Sequence, residues 1–522
     1  MDSTAFRTAA HAAIDEIATY LDTIQDRRVL SAVEPGYLRP LLPPNPPETP
    51  EPWPTIQADI ESAIMPGLTH WQSPNFMAYF PTAVTFPGIL GEMYSAALSA
   101  PGFNWQCSPA MTELETIVLD WMVGILHLPS CFLSKPGPGG GVIQGSASEA
   151  VVTVMVAARE RAIKRACGGC TTQAERERKG GSCTQKAAII AGVRFKAVQT
   201  RLEDELALTG EGFRNALEEC EREGLVPFFC TVNIGATPTC AVDDIKAITA
   251  INYAGEVFPP LWIHVDAAYA GSALILEEYV HLTEPLDRVD SFDVNMHKWL
   301  LVNFDCSPLF VRNRNDLTDV LSVTPSYLRN QNSDSGQVID YRDWQIPLGR
   351  RFRSLKIWFV IRTYGVNGMK AHVRRHIELG EKFAGWIRER PDRFRLVTPP
   401  AFALTVFTVV PPTRTSRKLD GVPGNAATEP SVNEGLATDD IEPKTSGRGH
   451  VDEANALTKE VYERINASGK VFLTSGVVNG IYAIRVVSAN EKANETSMRA
   501  AFELIVDIAE QVCSHTTPND TG

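Results

Sequence analysis

The chain has 522 residues, 44% of them hydrophobic, and a formal net charge of -13. That length suffices for two or three domains sharing a large core, and the acidic balance argues against nonspecific nucleic-acid binding. No apolar run reaches the ~18 residues of a membrane span, so no membrane association is expected. Asp2, Asp15 and Glu16 interrupt the N-terminal alanines where a secretory leader needs an apolar stretch, and ten cysteines spread thinly favour a reduced, cytoplasmic setting.

In residues 6–24 the spacing of Ile14, Ile17, Leu21 and Ile24 predicts an amphipathic helix. Residues 35–54 are proline-rich and extended, an arm stable mainly by docking, plausibly on a second subunit. Prolines and glycines place Trp71, Tyr79, Phe80 and Phe103 on loops, so these aromatics are candidate pocket residues, although core packing is the usual role of such side chains. Thr112, with Glu115 three residues on, reads as the cap of a helix whose stripe is Leu114, Ile117, Val118, Trp121 and Met122.

Residues 137–150, GPGGGVIQGSASEA, run into a long helix. A glycine-rich turn at a helix N-terminus, with hydroxyls from Ser146 and Ser148, is suited to a phosphate; a plain capped helix is the competing reading. From residue 187 the pattern alternates: apolar AAIIAGV, a helix around 212–223, strand-like LVPFFCTVNI ending at Gly235 and Thr237, a helix from Asp243, then LWIHVD ending at Asp266. Apolar strands separated by helices predict a parallel α/β sheet, with ligands at the strands' C-terminal ends, where Thr237 and Asp266 fall.

Residues 291–305, SFDVNMHKWLLVNFD, set Lys298 between His297 and Trp299 with apolar residues following. Burial there disfavours the ammonium form and frees an amine to condense with a carbonyl. A strand ending in an aspartate, then a lysine in the next segment, is what pyridoxal phosphate needs: one residue for the aldehyde, one for the pyridine nitrogen. Alone, such a lysine is usually a surface residue and such an aspartate a cap.

Residues 325–353 begin polar, carry Tyr327 and read as an active-site lid, followed by a helix that Arg350 and Arg351 open. His372 and His376 are four apart in HVRRH, but the glutamate of the zinc-protease motif is absent, so they read as a helix face and no metal is expected. Residues 411–448 read as a disordered insertion. A helix from Val451, a β-like stretch and a final helix then predict a small α+β C-terminal domain.

The stretches YFP, FNW, SPAMTELE, GGGVIQGSASEA, HVDAAYAGSA, NMHKWLLVNFDCS, SYLRNQNSDSG and DYRDWQIPLGRRFRSLK resemble the aromatic L-amino acid decarboxylases, of the group II pyridoxal-phosphate-dependent decarboxylases. The resemblance implies an α/β, type I (aspartate-aminotransferase-like) fold: a large domain with a mixed, mostly parallel sheet and a small α+β C-terminal domain. It implies a homodimer with its active sites at the subunit interface. The expected division is 1–85, a helical arm packing on the partner; 86–375, the cofactor-binding domain; and 376–522, the small domain with the 411–448 insertion.

By the same resemblance, Lys298 would hold the cofactor's aldehyde carbon and Asp266 its pyridinium nitrogen. Ser146, Ala147, Ser148, Asn295 and His297 would hold the phosphate and its surroundings, with Thr237 and Ala268 also at the cofactor. Trp71, Tyr79, Phe80, Pro81 and Thr82 would line the aromatic pocket, with Pro101 and Phe103 from the neighbouring subunit. Tyr327 would give a proton to the substrate's α-carbon after carbon dioxide leaves, and Gly349 would leave room for an indole. The implied reaction converts tryptophan-, DOPA-, tyrosine- or phenylalanine-type substrates to arylalkylamines. Related aldehyde synthases carry Phe at the tyrosine position, so Tyr327 favours amine formation.

One interval departs from that pattern. Between residues 165 and 186 the family has a strand and a histidine that stacks on the cofactor; here no apolar run fits a strand, and Gly181 stands where the histidine is expected. A replaced or mispredicted segment, a variant with altered chemistry, and an inactive paralogue are the competing explanations. Cys167, Cys170 and Cys183 lack a fourth ligand for a metal knuckle. Pro101 stands where a larger aliphatic residue is common in the family.

Overall fold

Two sheets organise the chain in the computed structural model, which describes residues 1–166, 182–255, 257–323, 332, 338–411 and 446–515. Strands β1 (Gly140–Gln144), β2 (Phe229–Asn233), β3 (Trp262–Asp266), β4 (Ser291–Asp293) and β5 (Ser307–Val311) form the first, in the order β1-β5-β4-β3-β2. β2, β3 and β4 run parallel, and β5 is antiparallel to both its neighbours, so the sheet is mixed. β1, β4 and β5 are buried along their whole length, as expected of strands covered on both faces. Val154, Ala157 and Ala158 of the helix Ala147–Ala166 pack with Val142, Trp262 and Leu309 on one side. On the other, Val118, Leu119 and Met122 of the helix Pro109–Ile125 pack with Ile143, Ile263, Phe292 and Phe310. Each fully buried Val, Leu, Ile, Phe or Met side chain contributes roughly 1.5–3 kcal/mol.

The second sheet comprises β6 (Phe394–Leu396), β7 (Leu404–Val409), β8 (Thr474–Val478) and β9 (Ile481–Val487), all antiparallel in the order β6-β7-β9-β8. Helices Ser446–Ser468 and Glu495–His515 share its core: Val461, Ile465, Phe502 and Ile505 pack with Phe407, Ile484 and Val486. The long helix Ser354–Arg388, kinked at Gly365 (φ 62°), contributes Ile357 and Val360 to the first core and Leu379, Phe383 and Ile387 to the second.

Asp2 caps the first helix, Ser3–Thr23. Leu21 and Ile24 are buried while Ile14 and Ile17 remain exposed, so half of the expected apolar stripe faces away from the chain's own body. The following segment is fastened to the second sheet: Met77 N–H donates to the Phe472 carbonyl and Val487 N–H to the Met77 carbonyl, both at 3.0 Å.

Four sequence expectations change. The run 187–193, expected as a strand, lies largely in the helix Ser182–Ala191. Its alanines favour a helix, and Ala187, Ala188 and Ala191 fall on one face against Val151, Val152 and Met155. β2 is therefore left at the sheet edge among the described residues, with Thr184 Oγ1 donating to Thr231 Oγ1 at 3.2 Å. The helix expected to begin at Thr112 begins at Pro109, a residue suited to the first helical position, with Ser108 at the cap. Most of the glycine-rich stretch before Ser146 is β1, which narrows the turn to Gly145 and Ser146. Arg350 and Arg351 precede the helix Ser354–Arg388 and do not open it.

Candidate active site

Lys298 sits in a single helical turn, Met296–Trp299, between β4 and β5. Its neighbours pin that turn. Trp299 is fully buried, stacks on Tyr269 with centroids 4.8 Å apart, and donates its indole N–H to His376 Nδ1 at 3.0 Å. His297 Nδ1 lies 2.9 Å from the Cys306 N–H nitrogen and 2.8 Å from the Cys306 carbonyl oxygen. Burial, and then the charge of Lys298, lower the His297 pKa to about 4, so its ring is neutral at physiological pH.

An aromatic wall is strapped onto this turn. Ala83 N–H donates to the His297 carbonyl at 2.8 Å, and Thr85 Oγ1 donates to the Leu301 carbonyl at 2.9 Å. Phe80, thus held, stacks on Tyr269 at 3.7 Å and lies 5.5 Å from Lys298 Nζ. Pro81 is buried, Thr82 half-buried, and the Thr82 carbonyl accepts from Gln72 Nε2 at 2.8 Å. Trp71 and Tyr79 stack on each other at 5.8 Å and are exposed on this chain.

Asp266 ends β3, where its Oδ1 accepts from Ala268 N–H at 3.1 Å. Asn295 N–H donates to the Ala268 carbonyl at 3.0 Å, and Asn295 Oδ1 accepts from Ser307 Oγ at 2.5 Å, so the aspartate and lysine segments are stitched together. Asp266 and Lys298 both lie within electrostatic reach of buried Asp293.

At the turn before the helix Ala147–Ala166, Ser146 Oγ accepts from Glu149 N–H at 3.2 Å, and Gly145 N–H donates to Glu149 Oε2 at 2.9 Å. This is a reciprocal cap. A Cβ on Gly145 would stand 3.0 Å from Glu149 Oε2 and 3.1 Å from Asp305 Oδ2, so a larger residue would have to push these carboxylates aside. Ala147 is buried and Ser148 half-buried at the helix start.

Thr237 is exposed beyond β2, and its carbonyl accepts from Arg485 of β9. Pro101 and Gly349 are brought together elsewhere. Arg350 N–H donates to the Pro101 carbonyl at 2.7 Å, and both residues line a cavity of about 500 Å³ with Gln144, Gly145 and Glu149. Neither Lys298 nor Asp266 lines that cavity. Phe103 is half-buried nearby, its carbonyl accepting from Arg342 N–H at 3.1 Å. His372 and His376 pack ring to ring at 4.4 Å inside the helix Ser354–Arg388. Tyr327, Gly181, Cys167 and Cys170 lie outside the described residues, as do most of the expected lid and most of the 411–448 insertion.

Three residues of the site escaped the sequence reading. Arg485 reaches from the second sheet, while His264 and Asp293 lie one step behind Asp266. The alternation His264–Val265–Asp266 held a signal: the histidine shares a sheet face with the aspartate.

A lysine on a pinned turn, a carboxylate at a strand end and a capped helix N-terminus behind a tight glycine turn form a donor set that fits pyridoxal phosphate's aldehyde, pyridine nitrogen and phosphate. This combination, on a mixed α/β sheet joined to a small C-terminal sheet domain, defines a type I pyridoxal-phosphate enzyme. Residues 35–410 match the family model described as the pyridoxal-dependent decarboxylase conserved domain, and the chain belongs to that family. The aromatic-L-amino-acid decarboxylase of Mus musculus is 39% identical over 524 residues, covering 98% of this chain and 99% of the relative. The 3,4-dihydroxyphenylacetaldehyde synthase of Drosophila melanogaster is 45% identical over 418 residues, 78% of this chain and 81% of the relative. The crystal structure of Oryza sativa TDC with PLP and tryptamine is similar over 98% of this chain and 99% of that one, at 33% identity and a TM-score of 0.86. The protein is a pyridoxal-phosphate-dependent decarboxylase. Among the described residues no helix is long and apolar enough to cross a membrane.

Proposed function

We propose that the protein decarboxylates aromatic L-amino acids to arylalkylamines and carbon dioxide. The observation that carries this reading is the aromatic wall Phe80–Tyr269–Trp299 built against Lys298, in a chain similar to an aromatic-L-amino-acid decarboxylase along nearly its whole length. Pyridoxal phosphate, when bound, supplies an electron sink for the pair left behind as carbon dioxide departs. Lys298 would hold the cofactor through its aldehyde carbon. Asp266 keeps a proton on the pyridine nitrogen, and the N-terminus of the helix Ala147–Ala166, with Ser146 and Ser148, binds the phosphate. Asn295 and His297, which brace the lysine turn, would hold the phosphate's surroundings together with Ala147, and Thr237 and Ala268 would lie at the cofactor. Trp71, Tyr79, Phe80, Pro81 and Thr82 orient the substrate's ring, and Tyr327 delivers the proton to the α-carbon.

The protein acts as a cytoplasmic homodimer in this reading. Phe86, Leu90, Met93, Tyr94 and Leu98 are exposed together on the helix Phe86–Leu98, an apolar surface suited to a partner subunit. Pro101, Phe103 and Gly349 then serve the partner's site, in keeping with the cavity of Pro101 and Gly349 not being lined by Lys298. The arm 1–85, the large domain 86–375 and the small domain 376–522 are the units of that assembly.

Incubation of the purified protein with pyridoxal phosphate and tryptophan, DOPA, tyrosine or phenylalanine tests this reading. Amine and carbon dioxide in equal amounts are expected from at least one substrate, and their absence from all four overturns it. Ammonia and peroxide in place of amine would assign the aldehyde-forming reaction carried by the Drosophila relative's name.

A further inference from the structure

Behind Asp266 lies a second carboxyl that the proposed reaction does not use. Asp293 is the register partner of Asp266 on β4, and register partners on neighbouring strands project from the same face of the sheet. Its side chain is fully buried, and neither oxygen has an aligned hydrogen-bond donor among the described residues. His264 Nε2, equally buried, stands 3.1 Å from Asp293 Oδ1.

One proton arrangement satisfies the buried neighbours of His264 in turn. Trp262 Nε1 can only donate, and it donates to Ser291 Oγ at 2.8 Å. In it the hydroxyl hydrogen of Ser291 goes to His264 Nδ1, also 2.8 Å away. Nδ1 is then the acceptor, and Nε2 carries its hydrogen 3.1 Å from Asp293 Oδ1, near enough to favour the ionised carboxyl without an aligned hydrogen bond. The ladder runs Trp262, Ser291, His264, Asp293, and ends beside Asp266.

The charged and titratable groups facing Asp293 are Asp266 and His264 from β3 and Lys298 from the helical turn; its partner across β5 is the apolar Leu309. Burial first, and the Asp266 charge second, raise the Asp293 pKa to about 6, against the opposing pull of His264 and Lys298. Two carboxylates side by side in a desolvated site do not ionise independently.

We propose that Asp293, oriented by His264, is a positioning residue that sets how strongly Asp266 holds the protonated pyridine nitrogen of the cofactor. The proposal rests on the reading of Asp266 given above. Ionised, Asp293 adds its charge to the field Asp266 directs at that nitrogen; protonated, it withdraws that contribution. The hold on the cofactor therefore tightens as Asp293 loses its proton.

The test is titration of pyridoxal phosphate into the full-length apoprotein and its Asp293→Asn variant between pH 5 and 8, with dissociation constants read from cofactor absorbance and tryptophan fluorescence. The ratio of the variant's constant to the wild type's cancels the titration of the cofactor's own phosphate. It should be near one at pH 5 and rise roughly tenfold by pH 8, the equivalent of about one pKa unit of coupling. His264→Gln, which retains a donor for Asp293, should follow the wild type, and His264→Phe should move the rise to higher pH. A ratio that stays flat across the range overturns the proposal. Asp266→Asn separates the two ideas. If it weakens binding while Asp293→Asn does nothing, only the proposal falls; if it leaves binding and absorbance unchanged, the assignment of Asp266 falls and takes the proposal with it.

Discussion

Arg485 donates from its guanidinium to the Thr237 carbonyl at 2.7 Å, which ties the second sheet to the loop that leaves β2 beside the candidate site. The same side chain donates to the Pro238 carbonyl at 3.0 Å and to Thr474 Oγ1 at 3.0 Å, and its Cζ lies 5.3 Å from the Phe80 ring centroid. Burial lowers its pKa. Arg485→Ala removes the donor from the Thr237 and Pro238 carbonyls and from the buried Thr474 Oγ1, and frees one side of Phe80. A loss of stability on the order of 2–4 kcal/mol is expected, with kcat/KM reduced more than tenfold. Thermal unfolding and amine formation check both, and Arg485→Lys should recover only part of either, since an ammonium cannot reproduce the fork of contacts.

The site was unevenly legible from sequence. Lys298 and Asp266 stand out in the sequence because Asp266 closes an apolar run and Lys298 opens one, where a charged residue has no packing role. Arg485 does not: it lies 248 residues from Thr237 along the chain, and a single arginine within a strand carries no local signal. The run 187–193 was misread because a short alanine- and isoleucine-rich stretch satisfies either period, and only its packing on Val151 and Met155 chooses the helix. That helix covers apolar surface of the helix Ala147–Ala166 with its alanines, while Ile189 and Ile190 face outward at 63% and 59% exposure.

Lys298→Ala removes the only amine set on the pinned turn Met296–Trp299. Amine production should fall to background, and the visible absorbance of the cofactor should be lost on dialysis. Trp299, Tyr269 and His376 pack without the lysine, so near-ultraviolet circular dichroism should be unchanged. A variant that retained both activity and absorbance would remove Lys298 from the site.

Glu115 and Arg350 form a buried pair at 2.5 Å, both side chains about 1% exposed, and Glu115 Oε1 also accepts from Ile143 N–H at 2.9 Å. Removing one partner strands the other charge. Arg350→Met alone should cost about 3–5 kcal/mol, and adding Glu115→Gln should restore part of it. Arg350 borders the cavity of Pro101 and Gly349. A dimer built on that face should therefore dissociate more readily in the single variant, which sedimentation at micromolar concentration would register.

Asp293 supplies the prediction in which stability and function oppose each other. Its carboxyl binds a proton more tightly in the folded protein, at about 6, than in the unfolded chain, where an aspartate titrates near 4. The folded state therefore holds the extra proton, and the stabilisation is complete only at low pH. It is lost as pH rises from about 4 through about 6, by up to roughly 3 kcal/mol. Asn at position 293 keeps the shape and has no charge to desolvate, so Asp293→Asn apoprotein should match the wild type near pH 4 and exceed its melting temperature by several degrees at pH 7.5. The inverse pattern, a variant less stable at neutral pH, would mean that His264 and Asp293 form a net-stabilising ion pair. Charge on Asp293 would then favour folding, and the cofactor's hold would not be the reason to keep a carboxylate in so dry a place.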